Sequence, residues 1–297
     1  MADTEAQKAQ IGTGKGFIAA LDQSGGSTPK ALALYGVDAG AYEGETAMFA
    51  EIHAMRTRII TSPEFTSQRV IGAILFERTM RAHIEGKPVP EVLWNDKNIV
   101  PFLKIDKGLE AEADGVQLMK PIPGLTESLA EARSLGIFGT KERSVIHAAD
   151  DIGIARIAAQ QFDVAHQVLE AGLVPIVEPE VSIDAPDKAA AEDILTRALM
   201  SHVDALGPGQ QVMLKLTIPD QPGLYDALAA HPNVLRVVAL SGGYSTKVAC
   251  EKLSENAAMI ASFSRALTEG LAKQMSQAEF NTAIGANIEQ IYRASVS

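Results

Sequence analysis

The amino-acid sequence predicts an α/β protein folded as a single (β/α)8 barrel of the TIM class, with residues 1–297 forming one domain. Three observations point there. Apolar runs of strand length alternate with amphipathic stretches of helical spacing about eight times along the chain. The 297 residues suit one such barrel, and no linker rich in Pro, Gly or Ser and no charge run marks a second domain. Charged residues also fall where the apolar runs end, the rim on which barrels place their functional groups. A doubly wound open sheet is the competing arrangement of the same pattern.

The first strand is read at residues 16–21, running into the polar glycine loop Asp22-Gln23-Ser24-Gly25-Gly26-Ser27. Helical spacing follows over residues 43–60, a second strand over 70–76 and a polar helical piece over 77–85. The third strand is 99–105. A longer excursion then carries a helix near 126–135, and the fourth strand starts at Ile137. Residues 151–171 form a clear amphipathic helix closed by Gly172, a residue suited to the left-handed conformation that ends helices. Strand five is 174–177. An alanine-rich acidic helix over 187–206 stops at Gly207-Pro208-Gly209, and strands six to eight are 211–216, 234–240 and 258–263.

Composition narrows the function classes. The chain is 46% hydrophobic and 21% charged, the profile of an ordinary globular protein. A formal net charge of -11 argues against nucleic-acid or anionic-membrane partners, because no positive field attracts them. No apolar stretch approaches the roughly 20 residues that span a bilayer, and the first residues are acidic rather than signal-like, so a cytoplasmic protein is expected. The single cysteine, Cys250, forms no internal disulfide and is expected to pack in a helix. The six histidines lack the paired spacing of a metal site, so neither a metal nor a cofactor is expected. His147, beside Asp150 and Asp151, reads as part of a helix cap.

Spacing singles out the chemistry. In a strand, residues i and i+2 share a face, so Glu178 and Glu180 of Pro175-Ile176-Val177-Glu178-Pro179-Glu180 point into the same space. Lys104 with Asp106, Lys141 with Arg143, and Lys215 end other apolar runs. Convergence of such groups in one mouth shifts pKa values, which amine and carboxylate catalysis requires. Lys215 sits between apolar neighbours, where an ammonium is costly unless it is paired or deprotonated; the plain alternative is a packed stem whose head reaches water. Ser241-Gly242-Gly243, between a strand and a helix, looks like a phosphate cradle, with a ligand-free tight turn as its alternative. Arg265 after strand eight would grip a phosphate bidentately beside it. Asp22 reads as a base and Ser24 and Ser27 as holders of a second phosphate, or else as a solvated turn. Lys120 reads as structural.

Together, residues 21–27, Lys104-Ile105-Asp106-Lys107-Gly108, Lys141-Glu142-Arg143, residues 174–180, Leu214-Lys215, residues 240–243 and Arg265-Ala266-Leu267 resemble class I (Schiff-base) fructose-bisphosphate aldolase in its compact bacterial form. The resemblance runs from Gly16 to about Leu267. It implies metal-free, reversible cleavage of fructose 1,6-bisphosphate into dihydroxyacetone phosphate and glyceraldehyde 3-phosphate, in glycolysis and gluconeogenesis. It gives Lys215 as the Schiff-base lysine, Glu180 as general acid/base, Glu178 as its tuner, Asp22 as the base on the C4 hydroxyl and Lys141 as a substrate-positioning cation. It assigns the C1 phosphate to Ser241, Gly242, Gly243 and Arg265, and the C6 end to Lys104, Arg143, Ser24 and Ser27. The expected partner is therefore a phosphorylated sugar, with a homo-oligomer left open.

Departures from the family's animal members are visible. Leu216-Thr217 follows the lysine in place of Pro-Asn, and Glu142 stands where they carry an aromatic, so a change in pocket polarity is expected. Tyr292 is not terminal, and its spacing suits packing. The rival functions are a transaldolase or Schiff-base aldolase for another phosphosugar, which a single phosphate end would favour, and a silent sugar-phosphate-binding scaffold, which failure of borohydride trapping would favour.

Overall fold

The computed structural model describes residues 2–24 and 26–297. Its main sheet runs in chain order through eight parallel strands: β1 Phe17–Leu21, β2 Val70–Leu75, β3 Val100–Lys104, β4 Gly139–Ile146, β5 Val174–Val181, β6 Val212–Thr217, β7 Val234–Leu240 and β8 Met259–Ala261. Strand order that follows chain order makes a ring, not a doubly wound sheet, and the barrel is nearly closed. At the seam, β1 and β8 approach without a ladder of backbone hydrogen bonds. Both faces of these strands are buried, because one lines the barrel and the other lies under helices, and most of the strands are apolar, with the charged residues concentrated in β4 and β5.

Inside the barrel, Ile18, Ile74, Phe102, Ile176, Met213, Val238 and Ile260 fill the lower levels. The bottom is closed by Ile11, from a helix over Ala2–Thr13 that sequence reasoning missed. That helix is polar apart from this one apolar knob, so it carries no stripe to read. Arg236 of β7 donates to the carbonyls of Gly12 and Gly14, at 2.8 and 3.3 Å, and ties the plug in place.

The larger outer helices are Gly44–Thr61, Leu125–Ser134, Asp151–Glu170, Lys188–Asp204, Thr246–Ser254 and Gln277–Ser295. Asp150 caps its helix by accepting from the Gly153 amide at 2.7 Å, and Gly172 adopts φ +76 just past the end. The Gln277–Ser295 helix opens with a capping box between Ser276 and Glu279. Its Phe280, Ile284, Ile288 and Ile291 are fully buried. Together they contribute roughly 6–12 kcal/mol gross, before the entropy of ordering is subtracted. Tyr292 packs against the same core, and Ser295 Oγ accepts from the Ala261 amide at 3.0 Å.

Two expectations need correction. The helical piece expected over 77–85 is one turn, Glu77–Met80, followed by a two-stranded hairpin of His83–Ile84 and Lys87–Pro88. Glu85 and Gly86, at φ 51 and 82, make the reversal that stops a helix. β4 and β5 also run about four or more residues further than expected, as Gly139–Ile146 and Val174–Val181, so their charged residues lie within the strands. Pro179 is tolerated because β5 pairs with β6 only at Ile176 and Val177, and beyond that point its missing N–H faces no ladder on that side. The Glu178–Val181 stretch stays paired with β4 alone.

Candidate active site

The two-residue alternation of β5 raises Glu178 and Glu180 above Ile176 on the inner face, and β4 and β6 deliver Lys141 and Lys215 beside them. Glu178 sits between the two amines. Its Oε1 lies 3.0 Å from Lys215 Nζ, and its Oε2 pairs with Lys141 Nζ. Lys141 also donates to Asp22 Oδ2 at 3.2 Å. Two ammonium groups and two carboxylates thus form one connected, alternating set, and Glu178, Lys141 and Lys215 are each less than 5% exposed.

Burial of this set is opposed by its own charges. Burial pushes the Asp22 carboxyl up, but the ammonium groups of Lys141, Lys215 and Lys104 outweigh it and hold Asp22 well below the ordinary carboxylate range. Burial likewise favours the neutral form of Lys141, while Asp22, Glu178 and Asp106 raise its pKa above that of a free lysine. Both groups are therefore ionised near neutral pH.

A second tier stands nearer the rim. Arg143 donates from Nε to Glu180 at 2.5 Å, and Lys104 pairs with Asp106 at 2.5 Å. Burial works against the charge on Arg143, but Glu180 more than compensates and raises its pKa. Glu180 is thus occupied by Arg143, while Glu178 is the carboxylate in contact with Lys215. This geometry favours Glu178 for the proton-carrying role that the resemblance gives to Glu180.

Two loops flank the mouth. Gly242 and Gly243 have φ of +59 and +128, conformations side chains rarely adopt. A Cβ on Gly243 would come within 3.7 Å of the Arg265 guanidinium, so the cradle after β7 and the cation after β8 are neighbours. The loop after β1 adjoins the turn after β8 across the seam, and in it the Ser27 hydroxyl accepts from the Ser24 amide at 3.0 Å and donates to its carbonyl at 3.2 Å. Ser27 thereby shapes the loop and leaves the Ser24 side chain as the freer hydroxyl. Gly25 of this motif lies outside the described residues.

All the catalytic and phosphate-binding candidates line one cavity of about 740 Å³. Lys30, Gln23, Ser264 and Thr268 also line it, and sequence reasoning did not select them. Lys30 belongs to a helix of two turns, Thr28–Leu34, too short to show a period; its position three residues after Ser27 is the only available signal.

The expected effect of Glu142 on pocket polarity is not supported. Its side chain follows the outer face of β4, is fully buried, and accepts from Thr140 Oγ1 at 3.3 Å. Gln161 of the Asp151–Glu170 helix bonds the Glu142 carbonyl at 3.3 Å and Ser144 Oγ at 2.8 Å, which places that helix over the same face. Burial raises the Glu142 pKa well above the ordinary value, and the side chain does not line the cavity. Lys120 is exposed and away from the cavity. Cys250 is half-buried in its helix, and burial pushes its thiol up to about 11. Among the described residues, no three His, Cys, Asp or Glu side chains are grouped to hold a metal ion.

Comparison with known proteins adds lineage to this geometry. The family model for class-I fructose-bisphosphate aldolase matches residues 4–219. A Synechocystis protein named fructose-bisphosphate aldolase class 1 is 57% identical over 282 residues, covering 95% of this chain and 94% of its own. A Porphyromonas gingivalis protein of the same name is 54% identical over 290 residues, covering 98% of each chain. The solved fructose-bisphosphate aldolase of Plasmodium falciparum superposes with a TM-score of 0.77 at 22% identity, over 100% of this chain and 95% of that one, a likeness of fold.

Proposed function

The chain belongs to the class I fructose-bisphosphate aldolase family, and from that premise we propose how its own residues carry the reversible cleavage of fructose 1,6-bisphosphate through a lysine Schiff base. The products are dihydroxyacetone phosphate and glyceraldehyde 3-phosphate. The observation that supports the residue assignment is the contact of Lys215 Nζ with Glu178 at 3.0 Å, in a cavity also lined by the glycine turn Ser241–Gly243, Arg265 and Ser24.

Lys215 attacks the C2 carbonyl of the open-chain sugar once its ammonium has given up a proton, and Glu178 is placed to take it. The same carboxyl returns a proton to the carbinolamine hydroxyl, which leaves as water and yields the protonated imine. Asp22, held ionised, accepts the C4 hydroxyl proton. The C3–C4 bonding pair flows into the iminium, giving an enamine and releasing glyceraldehyde 3-phosphate. Protonation at C3 and hydrolysis then free dihydroxyacetone phosphate and restore the amine. Lys141, between Asp22 and Glu178, holds substrate oxygens and offsets charge as it moves between the two carboxylates.

The C1 phosphate fits the Ser241–Gly243 turn with Arg265, and the C6 phosphate fits Lys104, Arg143, Ser24 and the Ser27-shaped loop, with Lys30 beside them. Two sets of anion-holding candidates on one cavity favour a bisphosphate over a monophosphate substrate. Among the described residues no helix is long and apolar enough to cross a membrane. A cytoplasmic location is part of the same proposal.

The test is kcat/KM for fructose 1,6-bisphosphate against fructose 1-phosphate, in a chelator. A charge-assisted contact contributes about 1.5–3 kcal/mol, so the bisphosphate should be preferred roughly 10- to 150-fold. Equal values would contradict a second phosphate end, and absence of cleavage would favour the scaffold reading.

A further inference from the structure

Arg56, on the Gly44–Thr61 helix behind the β1 loop, is 1% exposed, yet its hydrogen bonds among the described residues all go to neutral groups. Nη1 donates to Thr79 Oγ1 at 2.6 Å, and Nη2 donates to the Gln23 carbonyl at 2.6 Å and to Gln23 Oε1 at 3.1 Å. Nε has no partner. Burial lowers the guanidinium pKa to about 10, against the attraction of Asp22, so the group remains a cation at neutral pH. A buried cation without a carboxylate to bond is costly and calls for a reason.

Its contacts supply one. Gln23 sits between Asp22 and Ser24, and its amide Nε2 donates across the barrel seam to Ser264 Oγ at 2.8 Å. Ser264 directly precedes Arg265. The seam is where β1 and β8 lack a backbone ladder, and the Ala261 amide is turned instead to Ser295. Thr79, the third contact, stands in the turn after β2. One guanidinium therefore ties the turns after β1 and β2 and, through Gln23, the turn after β8.

We propose that Arg56 is a positioning residue for the sugar bisphosphate: through Gln23 and Ser264 it clasps the open seam at the catalytic rim and fixes the distance between the two phosphate-holding loops. This rests on the assignment of a bisphosphate to the mouth. A clasp of this kind matters most for a ligand that must reach both loops at once. Fructose 1-phosphate engages one loop through its phosphate, whereas fructose 1,6-bisphosphate needs both in register.

Steady-state kinetics of Arg56→Met, Arg56→Lys and Ser264→Ala with both substrates test the idea, beside thermal unfolding. Misplacement of about 1 Å costs up to roughly 100-fold, so Arg56→Met should raise KM for the bisphosphate by roughly 10-fold or more. The ratio of kcat/KM between the two substrates should fall by a similar factor. Arg56→Lys keeps the charge without the fork and should recover only part of the loss. Ser264→Ala cuts the seam bond alone, leaves the buried guanidinium bonded, and should lower the ratio roughly 3- to 10-fold in a protein that folds normally.

An unchanged substrate ratio in folded Ser264→Ala would overturn the proposal, as would equal losses on both substrates in folded Arg56→Met. Failure of the underlying function shows elsewhere, in the wild-type protein, as no cleavage or no preference for the bisphosphate.

Discussion

Replacing Asp22 by Asn should separate bond cleavage from imine formation. The carboxylate is ionised and bonded to Lys141 at 3.2 Å, whereas Lys215 is paired with Glu178 at 3.0 Å. Loss of a general base costs 10²- to 10⁴-fold, so kcat for bisphosphate cleavage should fall by that factor, or about 2.7–5.5 kcal/mol of activation free energy. The stability effect should be smaller. Breaking a buried pair typically costs about 3–5 kcal/mol, but Lys141 keeps Glu178 and Asn is nearly isosteric, so about 3 kcal/mol is an upper bound. The sign with pH follows from the depressed Asp22 pKa. The carboxylate's contribution is complete above the unfolded value of about 3.9 and fades as pH falls through the folded one, so wild type and variant should converge in acid. A coupled cleavage assay and borohydride trapping with dihydroxyacetone phosphate, run on one preparation, read the two steps. Cleavage within tenfold of wild type, or trapping lost in proportion to cleavage, would refute the assignment.

Three further outcomes follow from the same structure. Glu142→Gln should leave the preference between bisphosphate and monophosphate unchanged, because that side chain lies outside the cavity. Its raised pKa makes wild-type stability fall as pH rises from the unfolded carboxyl value of about 4.3 towards the folded one; denaturant unfolding at pH 5 and pH 8 should show a smaller decline in the variant. Gly242→Ala puts a Cβ 2.7 Å from Ile183 Cγ2 at φ +59, and should raise KM for the bisphosphate roughly tenfold by deforming the cradle. Lys188, 5% exposed, bonds Glu192 at 2.5 Å, Asp220 at 3.0 Å and the Ile218 carbonyl at 3.1 Å behind the end of β6. Lys188→Met should cost about 3–5 kcal/mol in equilibrium unfolding, because it strands a buried carboxylate.

The barrel was legible because most of its strands are apolar on both faces and its longer helices are amphipathic, two patterns that local sequence carries well. The site was legible for a related reason: Glu178 and Glu180 obey the two-residue alternation, and Lys215 interrupts an apolar run. The same alternation could have excluded Glu142. It lies one residue from Lys141 and from Arg143, hence on the opposite face, and the reading that gave it a pocket role set the strand's end too early. Long-range partners were not legible. Nothing local says that Ile11 plugs the barrel, that Gln23 reaches Ser264, or which of two glutamates meets the lysine. All three depend on tertiary placement, the Gln23–Ser264 contact on pairing across 241 residues.

The central claim is tested most directly by peptide mapping after the protein has reacted with dihydroxyacetone phosphate and sodium borohydride in EDTA. A reduced adduct confined to Lys215 is the predicted result. An adduct on Lys141 or Lys104 in its place, or none on any lysine, would contradict the account.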